Sequence, residues 1–534
     1  MRSTILLGGL VAAFLYVAGL TAAGPALAQK SGGILKMYHR DNPPSASIHE
    51  EATASTTVPF MPVFNNLVLF DQHIAQNSAE TIRPELAKAW NWSRDGKDLT
   101  FDLEEGVKWH DGKPFTAKDV VCTFDLLTDT APQPLRRNPR ASWYRNVERV
   151  TADGDYKVTI HLKRPQSSLL SMLASGLTPM YPCHVSPAQM RTKPIGTGPF
   201  KLQQFSEYQY IRLTRNTDYW RKGRPFLDGI DFNIVNNPTT AIVSFVAGRF
   251  DMTFPWEVRA EDLTTIKRDA SSAVCETTSM NLNVNLLVNR TRPPFDNPDV
   301  RRALVLALDR KAVVDTLTQG NSVVGGTMQP PPDGVWGLPP DMLSVVPGYG
   351  PDIEKNRTEA RALMQKAGYG PDKRLSVKLA ARGVPLYRDP AYLVRNQLKE
   401  IYIDADVEIL ETSLWFSRLD KKDYTLGVNS TGNGVDDPDQ TLYENFACKS
   451  SRNYTGYCNP EIEKMFDAQS VESNIEKRRQ LVNEIDVRLL ADGARPPIMW
   501  NRSTTCQQPY VKGYTNMVNS FYNGFRFEDV WLDK

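Results

Sequence analysis

The chain has 534 residues, of which 23% are Asp, Glu, Lys or Arg, and its formal net charge is +2. That near balance gives no electrostatic argument for nucleic acid or for an acidic partner. The length allows two to four domains with cores of their own. The 37 prolines and 33 glycines are spread along the chain, which fits many loops rather than one disordered tail. No repeat period or low-complexity tract stands out.

The N-terminus carries Arg2, an apolar run over 5–20, and Ala26-Leu27-Ala28. This is the pattern of a secretory signal peptide at 1–28, with cleavage expected after Ala28. No Cys adjoins that site, which argues against a lipid anchor, and no twin arginine precedes it, which favours the general secretion route. No later stretch is long and apolar enough to span a bilayer. The mature chain is therefore expected to be soluble and exported.

A first strand is predicted over 33–38, followed by a Pro-rich loop at 42–45. Leu99-Thr100-Phe101-Asp102-Leu103 alternates apolar and polar residues, the period of a half-buried strand. Asp95-Gly96 before it is a hairpin turn signal. Trp90 and Trp92 are two apart on the preceding strand and share a face. A second turn, Asp111-Gly112, leads to Thr116, with Asp119 three positions on, an N-capping pattern for a helix over 117–127. Further strands are predicted over 156–162, 199–202, 210–213 and 230–235. A helix beginning at Thr239 places Ile242, Phe245 and Val246 at i, i+3, i+4.

The second half alternates differently. Asn297-Pro298 caps a single predicted helix over 299–317, and Val300, Leu304, Ala307 and Leu308 keep helical spacing. Helices over 358–367, 390–401, 461–469 and 475–490 alternate with strands over 375–379 and 406–410, which argues for an α/β lobe.

All six cysteines lie in the exported part, where disulfides form. Cys448 and Cys458 flank a polar loop and are the best pair. Cys275 with Cys506 is a second candidate pair. Cys122 and Cys183 are read as buried free thiols. No motif of a hydrolase, metalloprotease or nucleotide-binding loop is present, and no His pair has metal-ligand spacing. The acidic cluster Asp436, Asp437, Asp439 lacks the calcium-loop register. Catalysis and a cofactor are not expected.

The string LAKAWNWSRDGKDLTFDLEEGVKWHDGKPFTAKDVVCTF at 86–124, read with IGTGPF at 195–200, resembles the extracytoplasmic solute-binding proteins of ABC importers, family 5, the dipeptide/oligopeptide/nickel class. FDNPDVRRALVLALDRKAVVDTL at 295–317 looks like that family's helix after the hinge. NYTGYCNPEIEKMF at 453–466 looks like its late disulfide loop and helix. The resemblance implies an α/β, two-lobed periplasmic binding protein fold (cluster C-like, Venus-flytrap) with an extra domain on the first lobe. The implied layout is lobe I over 29–60, 173–272 and 506–534, the extra domain over 61–172, and lobe II over 273–505. Chain crossings near Asn281 and Asn501 would form the hinge.

Site residues follow from the same resemblance. In the peptide-binding branch, an Asp four residues before a loop proline pairs with the ligand's α-amino group. Here the proline is Pro438 and four before it stands Gly434, so Asn433 and Asp436 are the nearest substitutes, with Asn429 on the strand before them. Trp415 matches a Trp that stacks over the ligand in dipeptide binders, against a reading as a helix core residue. Arg382 matches an Arg that meets a ligand carboxylate, a role suited to the guanidinium fork, with Arg388 as a competitor. His39, beside Arg40 and Asp41, and Trp256 are first-lobe candidates for the cleft.

The function implied is capture of a small solute between two lobes in the periplasm and delivery to an inner-membrane ABC permease and, through it, ATPase subunits. A short peptide or peptide-like compound is the default solute. An oligosaccharide, an opine or a metal chelate is the alternative within the class. An exported enzyme or a chemosensory binding protein is the alternative from another class. A monomer is expected.

Overall fold

The computed structural model describes residues 29–534. The leader expected at 1–28 and its cleavage after Ala28 lie outside the described residues. Among the described residues no helix is long and apolar enough to cross a membrane.

The chain opens on the strand Ile34–His39, which pairs in parallel with Gly229–Ile234. Tyr210–Arg215 and Phe200–Ser206 continue that sheet antiparallel. Leu35, Met37, Ile230 and Phe232 are buried in it, so alternation drives these residues into strands. A second four-stranded antiparallel sheet has the order Ala87–Trp92, Asp98–Leu103, Lys157–Leu162, Val147–Ala152. It buries Leu99, Phe101 and Leu103, while Trp90 and Trp92 pack half-buried against the same core. The helix Ala117–Leu127 covers it and starts where the sequence signals. The Thr116 N–H donates to Asp119 Oδ2 at 3.0 Å, closing a capping box.

A third sheet has five strands in the order Ile403–Leu410, Leu375–Arg382, Leu426–Gly432, Val274–Val288, Pro497–Gln507. The first three are parallel to one another, with the helices Pro385–Lys399 and Thr412–Asp420 as connections. The last two are long and antiparallel. One end of that pair, with Cys275 opposite Cys506, adjoins the first sheet through Met252, which bridges to both Met37 and Gln507. The other end, with Val284 opposite Met499, lies inside the five-stranded sheet. The register breaks between Ser279 and Asn283, and Asn281 there takes φ +47°, a left-handed conformation that Asn tolerates better than most residues.

Two local readings need correction. The single helix predicted over 299–317 is two, Pro298–Ala307 and Arg310–Thr318. Leu308 turns extended, and the Asp309 carboxylate accepts from the Ala312 N–H at 3.0 Å to start the second helix. The break lets the buried Arg310 donate to the carbonyls of Pro497 and Gly348, each at 2.8 Å. The loop expected around Pro438 is only a five-residue link, 433–437, after the fully buried strand Leu426–Gly432. A buried helix, Pro438–Asn445, follows, capped by Asp437.

All six cysteines are paired: Cys448–Cys458, Cys275–Cys506 and Cys122–Cys183. The reading of Cys122 and Cys183 as free thiols is overturned. The segment around Cys183 is drawn onto the helix carrying Cys122, since the Cys183 N–H donates to Asp119 Oδ1 at 3.0 Å and the Tyr181 N–H to Thr123 Oγ1 at 2.9 Å. Cys275 and Cys506 are direct cross-strand partners. Thiol titration of the denatured, unreduced protein is expected to find no reactive cysteine; two per chain would restore the free-thiol reading. The pair Cys275→Ser with Cys506→Ser opens a closure spanning 231 residues and is expected to lower stability by about 4–5 kcal/mol in urea titration.

Candidate functional site

The half built on the third sheet meets the part built on the first two along a closed seam, and Arg382 sits in it. It ends the strand Leu375–Arg382 and is fully buried. Its Nε donates to Thr412 Oγ1 at 2.7 Å, and Nη1 donates to Thr53 Oγ1 at 3.2 Å and Tyr387 OH at 3.5 Å. Nη2 donates to the Asp41 carboxylate and to Ser55 Oγ, the latter at 2.8 Å. Asp41 also accepts from Thr412 at 2.5 Å and from Ser55 at 2.5 Å. Burial alone would raise the Asp41 pKa, but Arg382 and then Arg40 hold it well below the usual carboxylate range. Burial alone would lower Arg382, and Asp41 lifts it above its ordinary value. The guanidinium that sequence offered as a solute anchor is thus occupied within the protein, as a latch from one side of the seam to the other.

Other contacts reinforce closure. Trp143 Nε1 donates to Glu444 at 2.9 Å, Ser168 Oγ to Asp439 at 2.7 Å, Arg164 to Tyr443 OH at 3.1 Å, and Arg137 to Asp420 at 3.0 Å.

The remaining sequence candidates divide. Trp415 is fully buried with Leu287, Ala380 and Leu419, and its ring lies 3.0 Å from where a Cβ on Gly427 would stand. It packs as a core residue, though its Nε1 has no partner. Asn429 lies opposite Asn285 on neighbouring strands. The Asn433 N–H donates to the Asn281 carbonyl at 2.9 Å, and its Nδ2 to Asn281 Oδ1 at 3.1 Å, so Asn433 braces the register break. At Gly434 a Cβ would meet Ser175 Oγ at 2.5 Å; no side chain fits there. Asp436 accepts from the Val335 N–H at 3.2 Å. Burial pushes its pKa up to about 7, against the opposing pull of Val335 and the Asn519 side chain. His39 is buried between the carbonyls of Asp41 and Ser55, and burial pulls it down to about 4. It is not a cleft residue. Trp256 takes φ +62° and stacks on Phe521 at 4.8 Å, with its Nε1 unpartnered, beside a recess of about 110 Å³ shared with Arg259, Leu386 and Asn501. Arg388 pairs with its neighbour Asp389.

Two further recesses are present, one on the seam and one within the half built on the third sheet. An outer one of about 490 Å³ lies between Arg136, Arg137 and Pro139 on one side and Ser417, Lys421 and Arg452 on the other. An inner one of about 20 Å³ is lined by Asn283, Asn285, Asn433, Asn445 and Arg495. Sequence reasoning missed Arg452 and Arg495. Each follows an unremarkable loop, and nothing local separates it from a surface arginine.

Two lobes, joined by a pair of long strands and closed over a polar seam, define a two-lobed binding protein. The family model for bacterial extracellular solute-binding proteins, family 5 (middle), matches residues 81–453. The chain belongs to that family. It is 27% identical over 540 residues to the probable di/tripeptide-binding protein 5 of Pseudomonas aeruginosa, covering 96% of this chain and 97% of the relative. It is also 27% identical to the dipeptide-binding protein of Escherichia coli over 550 residues, with 96% and 97% covered. The fold matches that of the periplasmic binding protein DppA of Helicobacter pylori, solved with a peptide, at a TM-score of 0.83 and 21% identity, over 95% and 99% of the chains.

The latch is testable. Asp41→Ala leaves Arg382 buried without its counter-charge, which is expected to cost the closed form about 3–5 kcal/mol. The ligand-free radius of gyration from small-angle X-ray scattering then rises. Thr412→Val removes two hydrogen bonds, the one it gives to Asp41 and the one it takes from Arg382 Nε, costs about 2 kcal/mol and, with the ion pair intact, leaves the radius unchanged. No change in Asp41→Ala would show that the pair does not hold the lobes together.

Asp436 gives a pH signature. The unfolded carboxyl titrates near 3.8 and the folded one near 7, so folding takes up a proton in between. The stability from that proton is complete below the unfolded value and is lost as pH rises through the folded one. Between pH 4 and 7 the melting midpoint of the wild type is expected to fall by about 2–4 °C relative to Asp436→Asn. Parallel curves would place the carboxyl at an ordinary pKa.

Proposed function

We propose that this chain is secreted to the periplasm with cleavage after Ala28. There it captures a short peptide or peptide-like solute between its lobes and delivers it to an inner-membrane permease served by ATPase subunits. In this reading lobe I comprises 29–60, 173–272 and 506–534, the extra domain 61–172 and lobe II 273–505. The hinge falls where the long strands lose register, at Asn281 and Asn501. The protein acts as a monomer and returns its solute chemically unchanged.

The observation that carries the reading is the closed seam itself. Only the two long strands tie the halves covalently, while ion pairs and hydrogen bonds between side chains hold them shut. Such a joint can open without unfolding either half. A solute favours the closed form only by as much as it binds that form better than the open one. The peptide class is supported by the names of the P. aeruginosa and E. coli relatives, each covered almost end to end.

Purification of the exported protein under mild conditions, followed by native mass spectrometry, is expected to show a small co-purified mass. Scattering is expected to show a radius of gyration that rises when that mass is removed and falls when it is restored. A radius indifferent to the solute would overturn capture by closure, and conversion of the solute to a new mass would make the protein an enzyme.

A further inference from the structure

Near the seam, three buried guanidiniums share a single carboxylate partner. Arg140, Arg452 and Arg495 are 0%, 3% and 5% exposed. Arg452 pairs with Glu444, whose other oxygen already accepts from Trp143 and from Gln440. Among the described residues, Arg140 and Arg495 have no carboxylate in ion-pair range. Arg495 donates only to neutral acceptors, Asn285 Oδ1 at 2.9 Å, Asn445 Oδ1 at 2.6 Å and Thr431 Oγ1 at 2.7 Å. Arg140 donates to the carbonyls of Ile48 and Glu51, and its Nε has no partner. The Nε of Arg452 is likewise unpartnered.

These groups sense one another. Burial, with the charge of Arg452 added, pulls both Arg140 and Arg495 down to about 10. Arg452 pairs with Glu444, the neighbour of the Asn445 that accepts from Arg495, and shares the outer recess with Asn138 and Pro139, the neighbours of Arg140. It also lines the outer recess with Arg136 and Arg137, while Arg495 lines the inner one. Aromatic rings complete the surroundings. The Arg495 guanidinium lies 5.7 Å from the Tyr454 ring centroid, and the Tyr424 hydroxyl donates to the Tyr454 carbonyl at 2.8 Å. Tyr522 anchors its hydroxyl on the Ala52 carbonyl at 3.1 Å.

Taking a guanidinium out of water without a counter-ion is costly. Two such groups and a third shared one are poor structural glue, because each could be replaced by a neutral donor to the same carbonyls and amides. They are suited to an anion that arrives from outside, with forks that meet carboxylates in pairs. The buried carboxylates nearby are already engaged, Glu444 by Arg452 and Trp143, Asp439 by Ser168 and Ser470, and Glu51 by Arg136 and Arg137, while Asp436 turns its carboxylate to the Val335 N–H.

We propose that the captured solute is a small polyanion, a peptide or peptide-like compound with at least two carboxylates, held across the seam by Arg140, Arg452 and Arg495. This rests on the capture reading above. A free α-ammonium on the solute contributes little to its binding.

The test uses the full mature protein, freed of co-purified solute by unfolding in urea with its disulfides intact and refolding. It is titrated calorimetrically with N-acetyl-glutamyl-glutamate, glutamyl-glutamate, alanyl-alanine and lysyl-lysine. Both acidic probes are expected to bind at least about 30-fold more tightly than alanyl-alanine, roughly 2 kcal/mol. Lysyl-lysine is expected not to bind, and acetylation to change affinity by less than about threefold. Arg495→Gln is expected to weaken the acidic probes by about 30-fold or more while leaving alanyl-alanine unaffected, and Arg495→Lys to restore part of the loss. Thermal melts establish that each variant folds; where Arg495→Gln does not, Arg140→Gln replaces it. Equal binding of alanyl-alanine, tight binding of lysyl-lysine, or wild-type affinity in a folded Arg495→Gln overturns the proposal. If a neutral or cationic mass co-purifies and closes the lobes, the polyanion is wrong and capture stands. If no solute closes the lobes, capture falls with it.

Discussion

Removing charge from water at the seam between the lobes is the constraint on which this structure turns. A buried ion pair is held by geometry rather than by large net gain, because desolvation offsets most of the attraction. Asp41 and Arg382 meet that condition: the carboxylate accepts from Arg382, Thr412 and Ser55, and the guanidinium uses all its donors. Every one of these groups loses a partner if the seam parts. The contact is therefore conditional on closure, and it ties the first strand's end to the third sheet without a covalent link.

The covalent ties are placed so that closure is possible. Val274–Val288 and Pro497–Gln507 are continuous through the junction, but their ladder is not. Between Ser279 and Asn283 the register slips, and Asn281 adopts a left-handed backbone. Asn433 then braces that residue from the neighbouring strand through both a backbone and a side-chain bond. The Cys275–Cys506 disulfide lies on the side of the slip that adjoins the first sheet. It clamps one end of the strand pair and leaves the slip itself free to bend.

Period and turn chemistry made much of the fold legible. Leu99 to Leu103 alternates and is a strand; Thr116 with Asp119 marks a helix start and is one. The sequence was least informative where tertiary partners decide. Residues 299–317 keep helical spacing throughout, yet the helix breaks at Leu308 because Asp309 caps a new one and Arg310 finds carbonyls from distant strands. Cys122 and Cys183 are 61 residues apart, and only the docking of the Tyr181 to Cys183 segment onto the helix brings them together. Of the side chains the sequence offered for the site, Trp415 packs in a core and His39 is buried between two carbonyls, placements that only tertiary contacts decide. Arg495 has no local pattern to mark it, since its meaning lies in having no acid nearby, which is a property of three dimensions.

The two kinds of charge at the seam pull in opposite directions. The pair Asp41 and Arg382 is neutral overall and favours contact between the lobes. Arg452 lies near Arg140 from the other side and near Arg495 on its own side, and bringing like charges together in a medium less polar than water favours separation. Opening moves Arg140 away from Arg452 and so relieves part of a penalty that closing imposes. An anion that enters between them converts the repulsion into attraction only when the lobes are shut, because only then do donors from both sides reach it. That is the differential affinity a closing protein needs. A neutral solute fills the same space without cancelling the charge, so its closed complex keeps the repulsion that the anion removes.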